Sequence, residues 1–395
     1  MSRGDPGPAA AWVWRAGERR GLHIGGPARY SRRMSAPSRA CALALLLAAC
    51  RPDPASSTSS DSEATTTSAG TGATATTEPT TGPTSGPTTG EPAAGWSVAL
   101  ELGVDKGALF SVWGPRPDDV IAVGGQGVGP ESKGLALRWD GATWSEIALP
   151  PGTTRLHWLA GVGDTLWAVG EAGTAIRRDG DAWVAVDTGV SVPLWGIWGA
   201  GPEAIWTVGG DGFVGEPVVL RHDGAAWQPE VLPPLPDECH ALFKVVGASA
   251  GDVTAVGDFG VILHHDGATW TLQDTGSIAD LISVSGPASG RLAVGGRANA
   301  RLTWWNGQVW SGATLDRPGL SGVWVGSDGA ALVTGSEGQI LRVPAGSLEP
   351  VSEDSPTILL LHAVFGFDAG PRFAVGGNLA GMPPHVGVIV QHPGP

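Results

Sequence analysis

LFSVWGPRPDDVIAVGGQGVGPESKGLALRWDGATWSEIAL, residues 109–149, holds four short runs rich in Val, Ile, Leu and Trp, separated by Gly, Pro and Asp. Runs of that length and composition read as β-strands, and the polar breaks read as the turns between them. The same order of signals returns at a period of about forty residues. Further units open at Leu156 (LHWLAG), Leu194 (LWGIWG), Leu242 (LFKVVG), Leu281 (LISVSG), Leu320 (LSGVWVG) and Leu361 (LHAVFG). Each unit is one four-stranded antiparallel blade, and the repetition predicts an all-β, seven-bladed β-propeller.

Two further markers recur inside the unit. The second strand closes on Val123-Gly124, Val169-Gly170, Val208-Gly209, Val256-Gly257, Val294-Gly295 and Val375-Gly376, with Thr334-Gly335 as the variant. Glycine at a fixed point in a strand marks crowded backbones or a positive φ. Later in the unit comes Asp-Gly followed by tryptophan: Asp140-Gly141 with Trp144, Asp179-Gly180 with Trp183, Asp223-Gly224 with Trp227, Asp266-Gly267 with Trp270, and Asn306-Gly307 with Trp310. Asp-Gly and Asn-Gly favour tight hairpins. The regular spacing assigns these five tryptophans to blade packing rather than to a ligand.

The seventh unit stops at VIVQHPGP, one strand short, while GWSVALEL, residues 95–102, stands unclaimed before the first. Aligned on Trp96 and Trp144, that segment matches an outer strand. Supplied from the N-terminal side, it completes the last blade and leaves the ring without an unpaired closing edge.

LWGIWG with AIWTVGG, and VILHHDGATW, resemble a family of propeller repeats common in secreted proteins and lipoproteins of myxobacteria and related bacteria. There is a looser likeness to the Asp-box of sialidases and to the repeats of photosystem-assembly propellers. Aspartate here precedes tryptophan by four positions, as Asp140 does Trp144, where the Asp-box uses five. The resemblance covers Gly95 onward and implies architecture; a propeller hosts many unrelated functions.

Upstream of the repeats, ACALALLLAAC, residues 40–50, is an apolar run following Arg32, Arg33 and Arg39. It is too short to cross a bilayer and suits the apolar region of a secretion signal. Its end, Leu47-Ala48-Ala49-Cys50, resembles a bacterial lipobox, which implies cleavage before Cys50 and lipidation of its thiol. The expected organisation is a pre-start leader over residues 1–33, a lipoprotein signal peptide over 34–49 beginning at Met34, a disordered Ser/Thr/Gly/Pro tether over 50–94, and the propeller over 95–395. The tether has almost no large apolar side chains with which to offset the entropy of ordering it. Arg51, rather than an aspartate, follows the cysteine, which points to the outer membrane, facing the periplasm or the surface.

Loss of residues 1–49 removes eight arginines and two acids and takes the formal charge from −14 to −20. A surface that acidic repels phosphate backbones and argues against nucleic-acid partners. Of the three cysteines, Cys41 leaves with the signal and Cys50 takes the lipid. Cys239 then stands alone, without a disulfide or a cysteine-based metal site.

Enzyme classes find little support in the residues. A sialidase-type hydrolase needs a tyrosine nucleophile, and the one tyrosine, Tyr30, lies in the leader. Other glycosidases need two carboxylates at a set separation, and no spacing marks such a pair. His264 and His265 are adjacent in a strand and point to opposite faces, so they do not share a metal. No cofactor or metal motif is present.

The longest departures from the repeat fall where a propeller gathers its loops on one face. They are GQGVGPESKG (125–134), GGDGFVGEP (209–217), NLAGMPPHVG (378–387), and the connector QPEVLPPLPDECHA (228–241). Loops carried on a rigid ring commonly bind. Candidate contact residues are Glu131, Lys133, Asp211, Phe213, Glu216, His240, Met382 and His385. The expectation is a non-enzymatic platform at the bacterial cell envelope, held to the membrane through lipidated Cys50 and binding a protein, a peptide or a neutral glycan. A carbohydrate-active hydrolase would instead bring acidic side chains to the axial mouth, and a structural spacer would leave that mouth featureless.

Overall fold

The computed structural model describes residues 95–180 and 182–394. Residues 1–94, with the expected leader, signal, Cys50 and tether, lie outside them. Among the described residues, 28 strands form seven antiparallel four-stranded sheets. Blades 1 to 6 cover residues 108–146, 156–186, 194–229, 242–273, 281–315 and 320–353, each in chain order from first strand to fourth. Blade 7 takes three strands from 360–392 and its fourth from Ser97–Leu102, which pairs antiparallel with Gly387–His392. The first strand of each blade packs against the first strands of both neighbours, from Ala108–Arg116 round to Leu360–Gly366 and back. Those seven strands therefore surround the axis.

The apolar core sits between blades rather than within them. Ile121 and Val123 of blade 1 pack with Leu156, Leu166 and Trp183 of blade 2. Trp206 and Val208 of blade 3 do the same with Leu242, Val253 and Trp270 of blade 4. At the closing seam Leu109 and Leu135 of blade 1 meet Phe373 and Ile389 of blade 7. Burying each such side chain contributes about 1.5–3 kcal/mol, so every seam adds stability only when its neighbour is in place.

This geometry explains the VWG signature. A Cβ on Gly161 of blade 2 would lie 2.3 Å from the Trp113 ring of blade 1. One on Gly247 would meet Trp198 at 2.6 Å, and one on Gly366 would meet Trp324 at 3.3 Å. The tryptophan of one unit thus lies on the glycine of the next.

The glycine after the second-strand valine has a different cause. A Cβ at Gly124, Gly170, Gly209, Gly257, Gly295, Gly335 or Gly376 would stand 1.8–2.4 Å from a carbonyl oxygen of the first strand's entry. Backbone crowding, not positive φ, demands glycine at all seven.

The five tryptophans of the Asp-Gly motif pack as expected. Trp183, Trp227 and Trp270 are buried, and Trp144 and Trp310 are half-buried. Four of the turns are not two-residue hairpins but four-residue loops capped by a side chain. Asp140 Oδ1 accepts the N–H groups of Ala142 and Thr143 at 2.9 and 2.8 Å, and Asp223, Asp266 and Asn306 repeat the pattern. His265 packs between Trp206 and Trp270, while His264 turns outward to Asp252 at 2.9 Å, so the pair does point to opposite faces. Cys239 is free and buried.

Candidate binding face

Each blade has two ends. One carries the hairpin between its first two strands and the Asp-Gly turn; the other carries the loop between its second and third strands and the connector to the next blade. At this second end blades 2, 4 and 6 use one compact turn, Glu171–Gly173, Asp258–Gly260 and Ser336–Gly338. The middle residue of each, Ala172, Phe259 or Glu337, has φ of 51, 56 or 57°. Blades 1, 3 and 7 replace that turn with the long loops.

The long loops brace one another in two groups. In the first, the Gln126 side-chain amide donates to Val104 O at 2.7 Å and His385 O at 3.0 Å, and its oxygen accepts the His385 N–H at 2.8 Å. This joins loop 125–134 to loop 378–387 across the closing seam. In the second, Gly210 pairs with Ala241, and His240 Nδ1 meets Gly215 O at 2.8 Å. This joins loop 209–217 to connector 228–241. Blade 2 separates the groups on one side of the ring, and blades 5 and 6 on the other.

Glu131, Lys133 and Met382 are exposed in the first group. Glu216 is exposed, and Asp211, Phe213 and His240 are half-buried, in the second. His385 departs from the expectation of a surface contact: it is 3% exposed, because Gln126 holds its backbone and draws the residue under the loop. Seven of the eight candidates are thus exposed or half-buried, divided between the two loop groups.

The axis holds residues that the loop argument missed. Each first strand carries a β-bulge at the same place, as between Leu109 and Ser111 or Leu156 and Trp158. A bulge inserts one extra residue and re-aims its side chain. The extra residues are Phe110, His157, Trp195, Phe243, Ile282, Ser321 and His362. Five of them make a continuous ribbon: His362 to Phe110 at 5.0 Å, Phe110 to His157 at 5.4 Å, His157 stacked on Trp195 at 4.1 Å, and Trp195 to Phe243 at 6.2 Å. The repeat gave no signal for them, since the residues on both sides of each opening leucine vary from unit to unit.

Charged groups gather at this layer. Arg155 Nη2 donates to Glu171 Oε1 at 2.6 Å, and the guanidinium lies 4.8 Å above the Phe110 ring. His157 Nε2 stands 3.3 Å from the same carboxylate oxygen. Burial opposes ionisation of Glu171, but contact with His157 and the charge of Arg155 outweigh it and hold the carboxyl down to about 2. Lys244 is buried against Trp195 O at 3.1 Å and the Trp158 ring at 4.2 Å, without a carboxylate, and burial pulls its ammonium down to about 7. His362 Nδ1 donates to Phe110 O at 2.7 Å, and burial, aided by the charge of Lys244, lowers its pKa to about 3. It is thus a neutral imidazole carrying its proton on Nδ1.

Glu171, paired with Arg155 and ionised, is no proton donor at neutral pH. Two-carboxylate glycoside chemistry requires a second acid beside a free first one; the seven bulge residues include none, while at the matching turn of blade 4 the buried Asp258 is pushed up to about 6 by burial and by the charge of Asp280. Among the described residues no group of three or more His, Cys, Asp or Glu is placed to hold a metal ion, and no helix is long and apolar enough to cross a membrane.

No family model and no curated protein matches the sequence. Solved structures match its shape. The ring is similar to that of YCF48. The protein from Cyanidioschyzon merolae superposes with a TM-score of 0.56 at 15% identity, over 76% of this chain and 99% of that one. YCF48 bound to D1 peptide gives 0.55 at 14% identity, over 76% and 97%. At such identities YCF48 shares the fold with this chain.

Proposed function

We propose that this protein is a non-enzymatic binding platform of the bacterial cell envelope, which docks a protein or peptide on the end of the ring that carries the long loops. The observation that carries the reading is where the extra chain length goes. A three-residue turn closes blades 2, 4 and 6, so the fold itself does not require the long loops of blades 1, 3 and 7 or connector 228–241. Those segments are also cross-braced, through Gln126 to His385 and through His240 to Gly215. Pre-ordered loops lower the entropy lost on binding. That a YCF48 structure is described as bound to a D1 peptide lends the reading a precedent on this fold.

In this reading Cys50 carries the lipid, more than one acyl chain gives stable anchorage, and residues 50–94 let the ring stand off the outer membrane. Glu171, beside the aromatic ribbon, is paired with the Arg155 guanidinium, which favours a structural role for it over hydrolysis.

The test is site-specific photocrosslinking of the full chain in cells, with the crosslinker at Glu131, Phe213 or Met382 on the loop end, or at Ala142 or Ala268 in the Asp-Gly turns of the other end. Adducts to one defined partner from the loop end alone are expected. Equal labelling from both ends, or from neither, overturns the binding-face reading, and a Cys50→Ala chain that remains in the membrane fraction overturns the anchor.

A further inference from the structure

Connector 228–241 is bordered by two hollows. One, of about 630 Å³, lies between the connector and residues 216–220, with Pro217, Leu220, Leu232 and Leu235 in its wall. The other, of about 700 Å³, lies toward blade 4, with Phe259, Leu272 and Ile278 in its wall. Pro236 lines both, so the two hollows, together the groove, adjoin at that proline.

Three properties of this groove point to its occupant. The walls carry large apolar side chains that are partly uncovered: Ile278 is 68% and Leu272 43% exposed, and Val231 of the connector and Val214 of loop 209–217 are 88% and 66% exposed. Contiguous exposed apolar surface on a folded domain marks an interaction site. The charged side chains lining the groove are Glu216, Glu230 and Asp237 in one half and Asp274 in the other, with no lysine or arginine in either. Glu230 is engaged by Trp270 Nε1 at 3.2 Å, while Glu216, Asp237 and Asp274 are exposed. Finally, Leu272 and Gln273 belong to the outer strand Trp270–Gln273 of blade 4, whose far edge has no partner strand. A free edge beside a groove offers main-chain hydrogen bonds to an extended chain.

We infer that the groove along connector 228–241 binds an extended peptide segment in which lysine or arginine alternates with large apolar residues. The apolar side chains fill the hollows on either side of Pro236, the cations face Glu216, Asp237 and Asp274, and the peptide backbone runs along the edge of Trp270–Gln273. Prolines 233, 234 and 236 hold the connector in a narrow range of backbone angles, so little order has to be imposed when the peptide docks. The inference rests on the binding-platform reading and names the partner chemistry of one of its two loop groups.

The experiment measures fluorescence anisotropy of the full chain with three labelled peptides of equal length: alternating Lys and Leu, alternating Glu and Leu, and alternating Lys and Ser. Because the chain is acidic overall, its specificity is judged with two triple charge reversals. One changes Glu216, Asp237 and Asp274 to Lys, and the other changes Glu101, Glu349 and Asp354, exposed positions elsewhere on the ring, to Lys. The expected result is saturable binding of the Lys/Leu peptide, at least tenfold weaker binding of the other two, a loss of tenfold or more with the groove triple, and less than a threefold change with the remote triple. Ile278→Ser should weaken the Lys/Leu peptide without altering its salt dependence. Equal loss with both triples, or equal binding of the Lys/Leu and Lys/Ser peptides, overturns the inference by reducing the effect to diffuse charge. No peptide binding overturns it too; a partner still crosslinked to Glu131 and Met382 then leaves the platform reading standing on the other loop group.

Discussion

Trp96 lies against His392 with ring centroids 5.5 Å apart, the relationship that Trp144 has with Trp139 at 5.7 Å and Trp270 has with His265 at 5.0 Å. A residue from the N-terminal side of the propeller thus occupies, in blade 7, the position that a residue of the same blade fills elsewhere. Its indole N–H donates to Glu353 of blade 6 at 2.7 Å, and it packs near Leu332. The closing strand is therefore fastened to two blades at once.

Trp96→Ala should accordingly lower stability by about 1–2 kcal/mol, less than the 3–5 of a fully buried tryptophan because Trp96 is half-buried. Trp144→Ala is the internal standard, and the two should shift the thermal midpoint by similar amounts. An unchanged midpoint for Trp96→Ala, beside a lowered one for Trp144→Ala, would show that the N-terminal strand does not close the ring.

The crowded glycines make a second test. In Gly257→Ala the new methyl stands 2.3 Å from Ala241 O, a backbone atom that cannot turn away. The expected loss is about 1–3 kcal/mol, as for other overpacked sites. Gly201→Ala, where nothing lies within 4 Å, should change stability by no more than about 0.5 kcal/mol. Chemical denaturation of both variants checks the contrast.

Lys244 should imprint a pH dependence. Its folded pKa of about 7 lies below the value of about 10.4 in an unfolded chain. Between those values the unfolded state holds more protons, so the contribution of Lys244 makes stability rise with pH; below pH 7 both states are protonated and the full penalty remains. Lys244→Met should therefore gain on the wild type by a few kcal/mol at pH 6, with the gap narrowing toward pH 10. Parallel stability profiles for the two proteins would contradict this.

Glu171 acts in the opposite sense. Its folded pKa of about 2 is below the usual value near 4.3, so its stabilisation is complete above about pH 5 and is lost as pH falls toward 2. Glu171→Gln leaves the buried Arg155 guanidinium without a counter-charge, which should cost about 3–5 kcal/mol at pH 7 and flatten the acid limb. Urea midpoints at pH 7 and pH 3 measure both effects.

Much of the ring was legible along the chain because its signals are local. The strand runs, the packing tryptophans and the missing strand recovered in residues 95–102 all follow from one unit compared with the next. The turn at Asp140 shows where local reading stopped short. Asp-Gly suggested a tight hairpin, but the Oδ1 atom of Asp140 satisfies two N–H groups and makes a four-residue loop stable. His385 shows a second limit, since it is held by Gln126, which ends a strand 259 positions away.

The sequence alone determined the number of blades and their repeated chemistry, because six of the seven blades are local units whose strands pair with their chain neighbours, and the seventh lacks just the strand that residues 97–102 supply. Tertiary structure decided what the irregular residues do. Lys244 in blade 4 reaches Trp158 in blade 2, and His362 in blade 7 donates to Phe110 in blade 1, contacts that exist only when seven bulged strands close about one axis. The groove beside Pro236 arises in the same way, from a connector laid between two neighbouring blades, and no periodicity encodes a surface that forms only where two units meet.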